Sequence, residues 1–208
     1  AQTLTVTTMD NDTVGLVLSE SEALVSENGS MSDNFSVVLR SEPTANVTVT
    51  VGDNDSTEVS ASPTTLTFSP GDWSTVQWVT LLGVDDNVSD DNQTTLLTLT
   101  PSGGDYGSMS ALTLTVTTSD NDTAGLVLSK SSGVVSENGS VSDNFSVVLR
   151  SEPTANVTLT LSDNDSTEVT ASPTSLSFSS GNWSVAQWIT LTGKDDNVSD
   201  DNQTTLLT

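Results

Sequence analysis

The chain repeats itself at an interval of 110 residues: Asp10-Asn11-Asp12 returns as Asp120-Asn121-Asp122, and Asp85 returns as Asp195. The two copies agree at roughly four positions in five, as expected of recent duplication within an array. A fold for this chain therefore closes within one such unit and is built again in the next. Residues 10–119 form a complete unit, and residues 120–208 form a second one that stops short of its own last strand. Residues 1–9 read as the last strand of a preceding unit, because Thr3-Leu4-Thr5-Val6-Thr7-Thr8 matches Thr113–Thr118. Ends of this kind fit a segment cut from a longer array. They also fit a subunit that completes its neighbour by strand addition.

Within the unit, apolar residues alternate with Ser and Thr, which is the period of a strand and not of a helix. Strand signals fall at Gly15–Leu18, Leu24–Glu27, Phe35–Leu39, Val47–Val51, Leu66–Phe68, Val76–Leu81, Leu96–Leu99 and Leu112–Val116. Turn residues separate them: Asn28-Gly29, Glu42-Pro43, Gly52-Asp53-Asn54-Asp55, Pro70-Gly71-Asp72 and Gly103-Gly104-Asp105. This spacing predicts an all-β fold, an Ig-like antiparallel β-sandwich repeated in a linear array. Phe35, Phe68, Trp73 and Trp78 are expected in its core.

Charge narrows the partners. The chain carries 28 acidic and 4 basic residues, a net charge of −24. Arg40, Lys130, Arg150 and Lys194 form no patch, so nucleic acid, which needs Lys and Arg against its phosphates, is not an expected partner. There is no cysteine, hence no disulfide and no thiolate metal site. No apolar run approaches the roughly 18 residues of a membrane-spanning helix. With no histidine and no cysteine, the commonest general base and the thiol nucleophile are missing, so an enzyme is not expected.

The carboxylates concentrate in two turns, Asp85-Asp86-Asn87-Val88-Ser89-Asp90-Asp91-Asn92-Gln93 and Asp120-Asn121-Asp122. An up-down sandwich brings two such loops to one end. Several carboxylates at short range repel one another unless a cation joins them. Calcium is the suited ion, taking about six to eight oxygens from Asp, Glu, Asn and backbone carbonyls on turns. The clusters are expected as calcium sites at the joints of the array.

Further short motifs keep a fixed order along the unit. They are Val25-Ser26-Glu27, Glu58, Leu66-Thr67-Phe68-Ser69-Pro70-Gly71-Asp72, the Asp85–Asp90 segment and the closing Thr115–Gly125 segment. Together they resemble the Calx-β domain, best known from sodium–calcium exchangers and widespread in extracellular and bacterial adhesin arrays. The resemblance implies calcium coordination by Glu27, Glu58, Asp85, Asp86, Asp90, Asp120 and Asp122. In the second unit it falls on Glu137, Glu168, Asp195, Asp196 and Asp200. Asp10 and Asp12 would serve the preceding unit. Gln93 stands where calcium-binding members of the family often have an acid, so the resemblance does not fix the number of ions.

Every asparagine begins an Asn-x-Ser/Thr sequence with x not proline. They are Asn11, Asn28, Asn34, Asn46, Asn54, Asn87 and Asn92 in the first part, then Asn121, Asn138, Asn144, Asn156, Asn164, Asn182, Asn197 and Asn202. Asp72 of the first copy becomes Asn182 in the second, and the change completes a further site. Such a pattern marks N-glycosylation acceptors on an exposed surface. The sequence thus points to a structural module of a calcium-stiffened, N-glycosylated extracellular filament or adhesin stalk. Its expected partners are neighbouring repeats or identical subunits end to end. A calcium-sensing regulatory domain is the alternative. An ice- or carbohydrate-binding module is the weaker one, since alternating Thr is ordinary on an exposed sheet face.

Overall fold

A computed structural model describes every residue except Asn164, Asn197 and Asp200. The expected acceptors Asn164 and Asn197 and the expected ligand Asp200 lie outside the described residues. The chain forms two compact units, residues 1–86 with 91–121 and residues 87–90 with 122–208.

The first unit has nine strands: β1 (Leu16–Leu18), β2 (Glu22–Ser26), β3 (Ser32–Leu39), β4 (Val47–Asp53), β5 (Val59–Ser62), β6 (Thr65–Phe68), β7 (Gln77–Gly83), β8 (Gln93–Ser102) and β9 (Leu112–Ser119). One sheet has the order β1-β3-β7-β5 and the other β2-β9-β8-β4-β6. All pairings are antiparallel except β2 with β9, which is parallel and sets Ser26 opposite Ser119. The inward side chains of the two sheets make one core. Phe35, Val37, Val79 and Leu81 of the first sheet and Val47, Val49, Leu97, Leu99, Leu114 and Val116 of the second are fully buried. Each Val, Leu or Phe removed from water in this way contributes about 1.5–3 kcal/mol. A 3-10 turn, Gly104–Ser108, closes the end of this core with Tyr106. The Tyr106 hydroxyl donates to the Ser41 carbonyl at 2.8 Å and accepts from the Ser41 amide at 3.1 Å.

Three sequence expectations change here. Trp78 was expected in the core and is 57% exposed. The reason is phase: on β7, Val79 and Leu81 point inward, so Trp78 and Thr80 point outward. Strand β5 had no sequence signal, because Val59-Ser60-Ala61-Ser62 is mostly small and polar; pairing with β7 makes it a strand. The alternating segment Thr3–Thr8 carries no strand, and Leu4 and Val6 lie 87% and 78% exposed. Alternation prepares a strand, but hydrogen-bonded neighbours complete it.

The second unit contains β10 (Leu126–Leu128), β11 (Ser142–Leu149), β12 (Val157–Thr160), β13 (Val169–Ser172), β14 (Ser175–Phe178) and β15 (Gln187–Gly193). Its larger sheet has the order β10-β11-β15-β13, and β12 pairs with β14 alone. Phe145, Val147, Leu149, Leu176, Phe178, Ile189 and Leu191 form its core. Residues 132–136, the match of β2, form no strand, and among the described residues this unit holds no counterpart of β9. Val135 is partly buried, and its match Val25 is fully buried.

Candidate metal centre

In the first unit the ends of β2, β7 and β9 come together, and acids follow each within two residues. Past Ser26, the Glu27 amide donates to the Ser119 carbonyl at 3.2 Å, which extends the β2–β9 pairing by one bond. Past Gly83, the Val84 amide donates to the Glu58 carbonyl at 3.0 Å and holds the chain that leads to Asp85 and Asp86. Past Ser119, the Asn121 amide donates to Glu27 Oε2 at 3.4 Å and Asn121 Nδ2 donates to Asp85 Oδ1 at 3.1 Å. Asp120 is fixed from two sides. Its amide donates to Asn92 Oδ1 at 3.1 Å, and its Oδ2 accepts from the Asp91 amide at 3.0 Å. Asp91 reaches this position in the left-handed region, at φ 64°, which Asp tolerates better than most residues.

Glu27 is the centre of the arrangement. It is 3% exposed, and Glu58 is 7% exposed. A carboxylate oxygen of Glu27 lies within 4.8 Å of one of Asp86, and likewise within 4.8 Å of one of Asp120. The Glu27 carboxyl is pushed up from 4.5 to about 7, with burial the largest cause. The Asn121 amide pulls it down, while the charges of Asp86, Asp120 and Glu58 push it further up. Among the described residues no basic side chain is a cause of this shift, so in the ion-free cluster Glu27 holds its proton more readily than an ordinary carboxyl.

A hard divalent cation fits this set of oxygens, because it replaces that proton with a charge all the acids can share. Glu27, Glu58, Asp86 and Asp120 are the residues of the first unit that would hold it. Asp85 is exposed and already accepts from Asn121. Asp90 and Asp122 are partly buried and fold with the second unit. Asp10 and Asp12 are exposed, and Asp10 Oδ1 accepts from the Asp12 amide at 3.0 Å in a local turn. In the second unit Glu137, Asp195 and Asp196 are exposed and Glu168 is partly buried. Among the described residues, no group of three carboxylates gathers around Glu137. Beside Glu27, the β2–β9 pairing covers the start of the acidic turn. Sequence reasoning missed Asp91 and Asn92 as positioning residues, although both stand in the acidic run. Gln93, the position lacking the family's acid, donates from Nε2 to the Asp91 carbonyl at 3.4 Å.

The asparagines divide by what their side chains do. Asn28 Oδ1 accepts from Ser26 Oγ and the Ser30 amide, and Asn138 repeats this with Ser136 and Ser140. Asn54 Oδ1 accepts from the Leu96 amide at 2.5 Å. Asn182 accepts from the Ser179 amide at 2.6 Å and donates to the Ser177 carbonyl at 3.3 Å. Asn92 and Asn121 belong to the acidic site. Asn11, Asn34, Asn46, Asn87, Asn144, Asn156 and Asn202 are exposed.

The fold and the site define a β-sandwich protein whose acidic groups can hold a metal ion. No protein-family model matches the chain, and no curated protein matches it. Among solved structures it is similar to calcium binding domain CBD12 of CALX1.1, with a TM-score of 0.40 and 21% identity over 88% of this chain and 76% of that one. It is also similar to the apo-form Calx CBD1 domain, with a TM-score of 0.38 and 19% identity over 52% of this chain and 100% of that one. The YadV chaperone is a third, with a TM-score of 0.40 and 10% identity over 92% of this chain and 90% of that one. All three TM-scores are below 0.5, and the fold class rests on the strands described above. No helix is long and apolar enough to cross a membrane among the described residues.

Proposed function

We propose that the chain is a structural repeat of an extracellular, calcium-stiffened and N-glycosylated filament or adhesin stalk. Its partners are neighbouring repeats or identical subunits end to end. The observation that supports calcium most directly is the convergence of Asp86 and Asp120 on the buried Glu27, with Glu58 adding to the same field. Calcium bound there supplies the positive charge that the ends of β2, β7 and β9 lack. Glu27, in its deprotonated form, would be one of the ligands. Asn121 and Asn92 hold Glu27 and Asp120 in place through the hydrogen bonds already described. The duplication of the acidic runs supports an array, in which each repeat interacts with its neighbours. The sequons support an exposed, secreted surface.

Small-angle scattering of the chain in millimolar calcium and then in excess chelator tests the reading. A particle that bends or shortens on chelation supports stiffening, and an unchanged profile removes it. The affinity separates a stalk from a sensor. Extracellular modules saturate at about 0.1–1 mM calcium, whereas saturation near micromolar calcium marks a sensor.

A further inference from the structure

Each unit turns one tryptophan outward from the middle of a sheet: Trp78 on β7 and Trp188 on β15, both 57% exposed. A large apolar ring in this position gains nothing from the core. The residues across the strand pair from it are the same in both units. On β3, Ser36 lies opposite Trp78 and Asn34 lies opposite Thr80. On β11, Ser146 lies opposite Trp188 and Asn144 lies opposite Thr190. Residues two apart on a strand share a face, so Asn34 is the diagonal neighbour of Trp78, and Asn144 that of Trp188. Diagonal neighbours stand about 7–8 Å apart, within reach of an aromatic side chain. Asn34 and Asn144 are exposed and begin the sequences Asn34-Phe35-Ser36 and Asn144-Phe145-Ser146. In each, the middle phenylalanine is buried, which fixes the asparagine outward.

We propose that Asn34 and Asn144 are the N-glycan acceptors of this sheet, and that the first sugar of each glycan packs on the neighbouring indole, Trp78 or Trp188. The proposal rests on the glycosylated reading above and names where the glycan lies. In the coupling step, Nδ2 of the asparagine bonds to the anomeric carbon of a lipid-pyrophosphate-linked oligosaccharide. The lipid pyrophosphate leaves, and the amide nitrogen loses one proton. A pyranose presents a face of C–H groups bordered by hydroxyls. The indole supplies a flat apolar partner for that face. Ser36 and Thr80 around Trp78, and Ser146 and Thr190 around Trp188, supply hydroxyls for the border. The same face carries exposed Val17 and Leu82 in the first unit and Val127 in the second, and the flat ring beside each asparagine is the tryptophan. A sugar tethered to the adjacent residue finds a ring of its own size. Asn182 and Asn28, by contrast, have their carboxamides committed to turns.

The test uses the full chain secreted from a host that performs N-glycosylation, beside the N34Q/N144Q double variant. Both substitutions are at exposed positions, so the variant keeps the fold. Glycopeptide mass spectrometry reads occupancy at every sequon. Acrylamide, a neutral quencher that the −24 charge does not repel, reads the exposure of the indoles. The expected result is glycan on Asn34 and Asn144, with tryptophan emission shifted to the blue and less quenched than in the variant. Glycan at other sequons but at neither of these overturns this proposal alone. Glycan at no sequon overturns it together with the glycoprotein reading. Occupied sites with unchanged quenching overturn the packing on tryptophan.

Discussion

Gly83 lies so close to Glu27 that a methyl group added to its Cα would stand 2.9 Å from the Glu27 amide nitrogen and 2.6 Å from the Ser26 carbonyl carbon. Both neighbours are backbone, so neither can swing aside. The close approach of β7 to the end of β2 is what sets Glu27 beside the chain leading to Asp86. Gly83→Ala should therefore lower stability by about 1–3 kcal/mol, the usual cost of overpacking, and weaken calcium binding as well. Gly107→Ala, where nothing lies within 4 Å of the added methyl, should change neither. Melting curves and calcium titrations of the two variants decide it.

Acidity should act on the ion-free chain through Glu27. Its carboxyl sits at about 7 in the folded state against an ordinary 4.5. Between these values the folded state keeps a proton that the unfolded state releases, so stability falls as pH rises through this window. The contribution is fully present below 4.5 and lost above 7. In chelator, the melting temperature should drop across that range, and Glu27→Gln should flatten the drop. In millimolar calcium the trend should turn the other way, because the ion binds the deprotonated carboxylate. Melts at a series of pH values, with and without calcium, check both signs.

Tyr106 should prove a structural anchor. Its buried hydroxyl bonds both the carbonyl and the amide of Ser41 and so ties the turn after β8 to the loop after β3. Tyr106→Phe leaves those backbone groups short of a partner in a dry site, a loss of about 1–3 kcal/mol. Denaturant unfolding should show a lower midpoint with calcium affinity unchanged, since Tyr106 touches none of the acids at the site.

Among the matched positions at which the two copies differ in charge, Glu20 of the first stands against Lys130 of the second. Glu20 faces Asp33, and its carboxyl is pushed up by burial and then by that neighbour. In the second copy Lys130 forms an ion pair with Asp143 instead. Glu20→Lys should transplant the pair and raise the melting temperature of the first unit slightly, while Lys130→Glu should lower that of the second. Thermal melts at low and high salt check this, with the difference shrinking as salt rises.

Most strands were legible because Val, Leu and Phe alternate with Ser and Thr on one buried face, as in Phe35–Leu39 and Val47–Val51. Trp78 was misplaced because its size suggested the core, although Val79 and Leu81 already fixed the phase of the strand. Strand β5 was illegible because Ser60 and Ser62 carry no apolar signal and pairing with β7 defines it. The acids of the site were legible as clusters in turns. The burial of Glu27 was not, because it arises from the parallel pairing of β2 with β9 and from the missing side chain at Gly83, both of them long-range relationships. The close approach is repeated in the second unit, where a methyl group on Gly193 would stand 2.9 Å from the Glu137 amide nitrogen.

The central claim is that Glu27, with Asp86 and Asp120, binds calcium, and isothermal titration of the chain with calcium tests it most directly, run beside Glu27→Gln and Asp120→Asn. The account predicts saturable binding to the parent chain and release of protons below pH 7. It also predicts a loss of at least one binding event in each variant. Calcium that binds the variants as it binds the parent, or that does not bind the parent at all, would contradict it.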